Sequence, residues 1–331
     1  MADLSTTYMG LQLRNPILAA SSGLTNDIHD ILELEKFGAG AIVLKSIFEE
    51  EIRIEMEKDM AQMNKATFLY PETMDFYDNF NQVDDELTKY LTLISDAKQK
   101  TSIPVVASIN CVTAEKWPYY ASILQDAGAD ALELNVFTLP TNFEAKAEET
   151  EKLYFDIVTE VKKHVNIPVS LKISFYSTNL GALIKKLSAT GIRGLVLFNR
   201  YYNPDIDTDN FSVISSHVLS TPEELPLSLR WIAIMSHRVE CDLAATTGIH
   251  SGKAVIKQLL AGASAVQIAS VLYKKGKKYL EVMLKDISTW MDEKGYKTID
   301  EFKGKVSQSA IHDPAAYERV QFMRYFAGKG V

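Results

Sequence analysis

The stretch from Asp242 to Ser270, DLAATTGIHSGKAVIKQLLAGASAVQIAS, decides the fold of this 331-residue chain. It opens on a short apolar run, Asp242 to Thr247, that reads as a buried strand. A glycine-containing loop, a longer helical pattern and a glycine exit then lead into a second run, Ala265 to Ser270. Working outward, the same unit recurs: six further runs are Ile17 to Ser21, Ala41 to Ser46, Val105 to Asn110, Ala131 to Asn135, Val169 to Ser174 and Gly194 to Asn199. Four runs follow a glycine exit (GAGAIVL, GADALEL, GIRGLVL, GASAVQI), where a left-handed residue can stop a helix. Two follow a proline (SIPVVAS, NIPVSLK), which suits a strand start because it cannot donate a ladder hydrogen bond. The last strand is followed by more helix and no edge-strand signal appears, so the pattern predicts an α/β fold, a single-domain (β/α)8 TIM barrel over 1–331.

Two connections are too long for simple crossovers: residues 47–103 after strand two and 200–241 after strand six. Loops after strand C-termini build the active face of a barrel, so both insertions are expected there as lid or specificity elements. The first begins EEEIRIEMEKDM, read as a solvated helix, and continues FLYPETMDFYDNF, read as a substrate-facing loop; a role in oligomer contacts alone is the alternative.

Composition narrows the function classes. With 47% apolar and 24% charged residues the chain can bury a large core. A net charge of -8 and the lack of a dense Lys/Arg cluster argue against nucleic acid. The N-terminus, MADLSTTYMGLQLRNP, has no basic region leading into an apolar run, and no stretch resembles a membrane span, so a cytoplasmic protein is expected. Two cysteines, Cys111 and Cys241, are too few for an all-cysteine iron–sulfur site or a disulfide framework. No GxGxxG fingerprint marks a Rossmann NAD site, and the six histidines show no metal-ligand spacing.

Polar residues gather at the strand C-termini: Ala20 and Ser21, Lys45 and Ser46, Asn110, Asn135, Lys172 and Asn199. An unpaired ammonium in an apolar interior is costly, so a strand lysine needs either a carboxylate such as Glu133 or a ligand. TTGIHSG after strand seven and IASVLYKKG after strand eight offer backbone N–H groups where this fold commonly holds phosphate. Together these features suggest a phosphorylated planar cofactor lying across the barrel mouth.

The segments NPILAASSG, IVLKSI, ALELNVFTLPTN, VSLKIS, LVLFN, LSLRW, ATTGIHSG and AGASAVQIAS, in this order, resemble the dihydroorotate dehydrogenase family across residues 5–275. The resemblance implies flavin mononucleotide (FMN) held by the equivalents of Ala20, Ser21, Lys45, Ser46, Asn135, Lys172, Thr247, Gly248, Gly262, Ala269 and Ser270. It further implies that Lys45, Asn135 and Asn199 reach the substrate; Asn110 is a further amide candidate. The small-molecule substrate would be oxidised with a soluble electron acceptor, and a homodimer is compatible with the resemblance.

The substrate half departs from the family. Where the family writes a loop with cysteine or serine as the base that takes a substrate proton, this chain has Asn135-Val136-Phe137-Thr138-Leu139-Pro140-Thr141-Asn142. Thr138 falls at the base position; it either acts as the base, directly or through water, or packs the loop. Cys111 is a second thiol candidate, with a structural role as its alternative. The family's Asn and Met-Gly-Leu turn in the first insertion is replaced by FLYPETMDFYDN, whose Glu72, Asp75 and Asp78 would repel a carboxylate, leaving Asn64 as a candidate contact or a less anionic substrate. The expected activity is oxidation of dihydroorotate or a related dihydropyrimidine-like ring. The alternatives are an FMN barrel with another substrate or no dehydrogenase activity, and a Schiff-base lyase using Lys172 or Lys45.

Overall fold

The computed structural model describes residues 2–52, 54, 86–111, 116–136, 139–216 and 218–318. The chain enters through an unforeseen hairpin, β1 (Thr6–Tyr8) and β2 (Leu11–Leu13). Its two-residue turn has positive φ at both Met9 and Gly10, which matches the twist of the flanking strands. The sequence signal is weak there because methionine seldom takes that conformation.

The barrel strands are β3 (Ile17–Ala19), β4 (Ala41–Val43), then, after a short β5 (Ile47–Phe48), β6 (Val105–Asn110), β7 (Ala131–Asn135), β8 (Val169–Ile173) and β9 (Gly194–Leu197). A second hairpin, β10 (Asn203–Asp207) and β11 (Ser212–Ser216), precedes β12 (Asp242–Thr246) and β13 (Ala265–Ile268). Eight strands run parallel in the order β4, β3, β13, β12, β9, β8, β7, β6, and β6 returns to β4 to close the barrel. All eight expected runs are strands, most ending a residue or more before their expected limits.

Strand alternation sorts residues onto two faces. The outward face packs under the helices; Leu180, Leu183, Ile184 and Leu187 form the buried stripe of the helix Leu180–Ser188. Each such side chain contributes roughly 1.5–3 kcal/mol when fully buried. Asn179 begins that helix by accepting from the Ala182 N–H at 3.3 Å. Leu183→Asp would place an unpaired carboxylate at the centre of this stripe.

The inward face is layered. Near the strand starts Leu18, Val43, Val106, Val196 and small alanines close on Tyr8, Met9 and Leu13, so the N-terminal hairpin plugs the barrel. The next inward position on β7, β8 and β13 is polar: Glu133, Lys172 and Gln267, all buried. Beyond them the barrel opens at the strand C-termini.

Of the first insertion, β5 rejoins β6 and the helix Glu86–Lys100 packs beside the barrel. Residues 49–52 are helical, with Glu49 and Ile52 buried and Glu51 exposed; most of the rest of the run expected as a solvated helix lies outside the described residues. Glu72, Asp75, Asp78 and Asn64 lie outside the described residues. The second insertion carries β10 and β11, with Phe211 in the turn between them and Val213 on β11 both exposed, followed by the helix Leu225–Met235.

Candidate functional site

A cavity of about 980 Å³ opens at the C-terminal ends of the barrel strands. Its lining includes Ala20, Ser21, Lys45, Ser46, Asn135, Lys172, Asn199, Thr247, Gly248, Ala269 and Ser270, so most of the residues singled out in the sequence converge on one space. The volume is at the upper end of the range usual for a small-molecule site.

One wall is built where the strand β4 leaves the sheet. After Leu44 donates to Val106 O at 2.9 Å, the Lys45 N–H turns to Thr25 O at 3.3 Å and the Ser46 N–H to Ser21 Oγ at 2.8 Å. The chain rejoins β6 only at Ile47. Ser46 Oγ then lies 2.7 Å from Ser108 Oγ and 3.2 Å from Ser21 Oγ, and it accepts from Asn135 Nδ2 at 3.1 Å. Because Nδ2 is committed to this serine, Asn135 Oδ1 is left as an acceptor, buried and with no partner among the described residues.

The floor holds Lys172, whose ammonium donates to Glu133 Oε1 at 3.4 Å and to Gln267 Oε1 at 3.2 Å, while Gln267 Nε2 donates to Glu133 Oε2. The carboxylate pairing foreseen for one barrel lysine is thus present, and Gln267 is a cavity residue that sequence reasoning missed. Its signal lay in the repeat itself: a glutamine inside the run AVQI. Asn199 is turned inward by its Nδ2, which donates to the carbonyls of Val136 at 3.2 Å and Lys172 at 3.3 Å. Lys45, half-exposed, pairs with Glu51 at 3.4 Å.

The opposite wall comes from loops. Thr247 has φ 69 and Gly248 φ 75, and a Cβ on Gly248 would lie 2.2 Å from Leu225 N. A threonine held in the left-handed region is strained, and such residues cluster at ligand sites. The second insertion contributes Arg200, Tyr201, Tyr202, Val218 and Ser220 to the lining, which the sequence placed on this face without identifying them. Arg200 is forked onto Glu224 at 2.8 and 3.3 Å and donates to Val218 O at 2.9 Å. His250 is a hydrogen-bond partner, its Nε2 being 3.1 Å from Ser220 Oγ. Burial, with Lys274 and Lys275 nearby, holds its imidazole below the ordinary histidine range.

Two of the residues singled out in the sequence lie off this lining. Gly262 is the left-handed end of the helix Gly252–Ala261, at the entrance to β13, where its missing Cβ leaves room for Ser236. That is the strand-start end, away from the cavity, so its glycine serves the helix exit. Asn110 is buried at the end of β6 opposite Phe48 and is absent from the cavity lining. Cys111 is buried, and burial together with Glu49 and Glu50 pushes its thiol well up, which is the state of a structural cysteine. Thr138 lies outside the described residues. Among the described residues no group of acidic, histidine or cysteine side chains could hold a metal ion, and no helix is long and apolar enough to cross a membrane.

Comparison with known proteins decides the lineage. The sequence model of the family described as dihydroorotate dehydrogenase matches residues 3–291. The chain belongs to the dihydroorotate dehydrogenase family. Its relatives include proteins named dihydroorotate dehydrogenase B (NAD(+)), catalytic subunit. The one from Thermoplasma volcanium is 29% identical over 92% of this chain and 98% of its own length. That from Thermoplasma acidophilum is 28% identical over 92% and 99%, and that from Methanocaldococcus jannaschii is 23% identical over 91% and 97%. Membership of the dihydroorotate dehydrogenase family agrees with a cavity built at the strand C-termini around lysines and asparagines.

Proposed function

We propose that this chain is an FMN-dependent oxidoreductase acting on the CH–CH bond of a dihydropyrimidine-like ring, with dihydroorotate as the reference substrate. The observation that carries the reading is the convergence of Lys45, Ser46, Asn135, Lys172 and Asn199 on one cavity at the strand C-termini of a chain of this family. When bound, the flavin would supply hydride acceptance, which no side chain of the chain can provide.

The residues that would hold the cofactor are Ala20, Ser21, Lys45, Ser46, Asn135 and Lys172 along the barrel mouth, with the backbone around Thr247, Gly248, Ala269 and Ser270 taking its phosphate. Lys45, Asn135 and Asn199 orient the substrate ring. Thr138, or a water it positions, takes the substrate proton; the hydroxyl needs an onward acceptor because alone it is a weak base. With two cysteines in the chain, electrons leave to a soluble acceptor or through another subunit.

The test is the visible spectrum of the purified protein, followed by dihydroorotate without oxygen. A flavin band that bleaches supports the whole reading. A yellow protein that stays yellow restricts it to the cofactor, and a colourless protein that FMN cannot reconstitute overturns it.

A further inference from the structure

A second cavity of about 270 Å³ adjoins the first. The two share Phe198, Asn199, Arg200, Tyr201, Thr246 and Thr247, so they are compartments of one site. The smaller one is an aromatic annex. Phe175 stands 4.4 Å from Tyr176 and 5.9 Å from Phe198 between ring centroids, and Tyr176 stands 5.5 Å from Tyr201. Leu227 and Ser228, on the helix Leu225–Met235, close the far side.

The charges of the site point the same way. Among the described residues, Lys45, Lys172 and Arg200 are the cations lining the larger cavity, and each faces a carboxylate: Glu51, Glu133 and Glu224. The annex itself holds Glu223 and Glu224 against Arg200. Among the described residues, a carboxylate entering the annex meets Glu223, Glu224 and no cation besides the paired Arg200, whereas an uncharged ring meets aromatic edges and a guanidinium plane on which it can stack.

We propose that the annex is the specificity compartment of this site and takes an uncharged aromatic ring carried by the substrate. The reacting ring then lies in the larger cavity and the aryl substituent beside Tyr176 and Leu227. The substrate class becomes a dihydropyrimidine-like ring that carries an uncharged aryl group. This inference rests on the flavoprotein reading for the identity of the reacting ring, but the annex can be probed without turnover.

The experiment titrates uracil, orotate and uracils carrying a benzyl group at C5 or C6 into the protein by calorimetry. At least one benzyl compound is expected to bind about tenfold tighter than uracil, the gain for burying much of a phenyl group. Orotate is expected to bind no tighter than uracil. Leu227→Trp, which fills the annex from a partly exposed position, abolishes the benzyl gain, and Tyr176→Ala, which removes a wall, reduces it. No benzyl gain, a gain that survives Leu227→Trp, or orotate binding tightest would each overturn the proposal. Flavin content, read on the same samples, separates the two claims: a protein that cannot hold FMN sinks the flavoprotein reading, while the benzyl gain still decides the annex.

Discussion

The Tyr90 hydroxyl stands between the two backbone polar groups of Ser108, donating to its carbonyl at 3.1 Å and accepting from its N–H at 3.0 Å. Ser108 lies on β6 between the residues paired with β4 and those paired with β5, at the point where Lys45 and Ser46 have left the sheet. A buried side chain thereby takes the place of a missing strand and keeps open the excursion that carries Lys45 and Ser46 to the cavity.

Tyr90→Phe is expected to leave both backbone groups of Ser108 without that partner and to lower stability by about 1–3 kcal/mol. Thermal unfolding measures the loss. On the proposed flavoprotein reading, retention of FMN through gel filtration should fall with it, because Ser46 is anchored to Ser108; a variant as stable as the parent would show that the hydroxyl is dispensable.

The Lys172 and Glu133 pair sits on the cavity floor with side chains 11% and 1% exposed. Glu133→Leu strands the ammonium with Gln267 alone and should cost about 3–5 kcal/mol, whereas Glu133→Leu combined with Lys172→Met should recover most of it. Urea unfolding of both variants distinguishes a structural ion pair from a lysine that tolerates solitude.

Both thiols are expected to be inert in the folded protein. Burial raises Cys111 and Cys241 above the ordinary thiol range, so the nucleophilic thiolate is scarce near pH 8. Iodoacetamide followed by mass spectrometry should label neither until urea is added; rapid native labelling of Cys111 would restore it as a candidate base.

His250 titrates lower in the fold than in the open chain. The unfolded chain therefore binds the extra proton first, and stability contributed by the neutral ring is complete above about pH 6.5 and declines as pH falls toward the folded value. His250→Asn should flatten this part of a melting temperature against pH curve, and an unchanged slope would assign it to other groups.

Gly262→Ala should destabilise by about 1 kcal/mol or more, since the residue has φ 115 and a Cβ would lie 2.4 Å from Ser236 Cβ. Its dissociation constant for FMN should match the parent's. A selective loss of FMN affinity would return Gly262 to the cofactor site.

Much of this protein is written locally. Short apolar runs with glycine or proline entries specify buried parallel strands, and their period of two sets which side chains can point into the barrel. Because strand ends open onto one face in such a barrel, Lys45, Asn135, Lys172 and Asn199 were legible as residues of one cavity from position alone. Asn110, at a strand end, and Gly262, at a helix exit, lie off that lining, because position along a strand or helix does not fix which end of the barrel or which side of a strand a residue meets. What only the tertiary structure decided are pairings between distant parts of the chain: Gln267 with Glu133, 134 positions apart, and Tyr90 with Ser108 across the gap left by β4. The aromatic annex likewise draws on β8, β9, the second insertion and β12. Local pattern fixes where a side chain points, but which partner it meets depends on barrel closure, and closure is a property of all eight strands together.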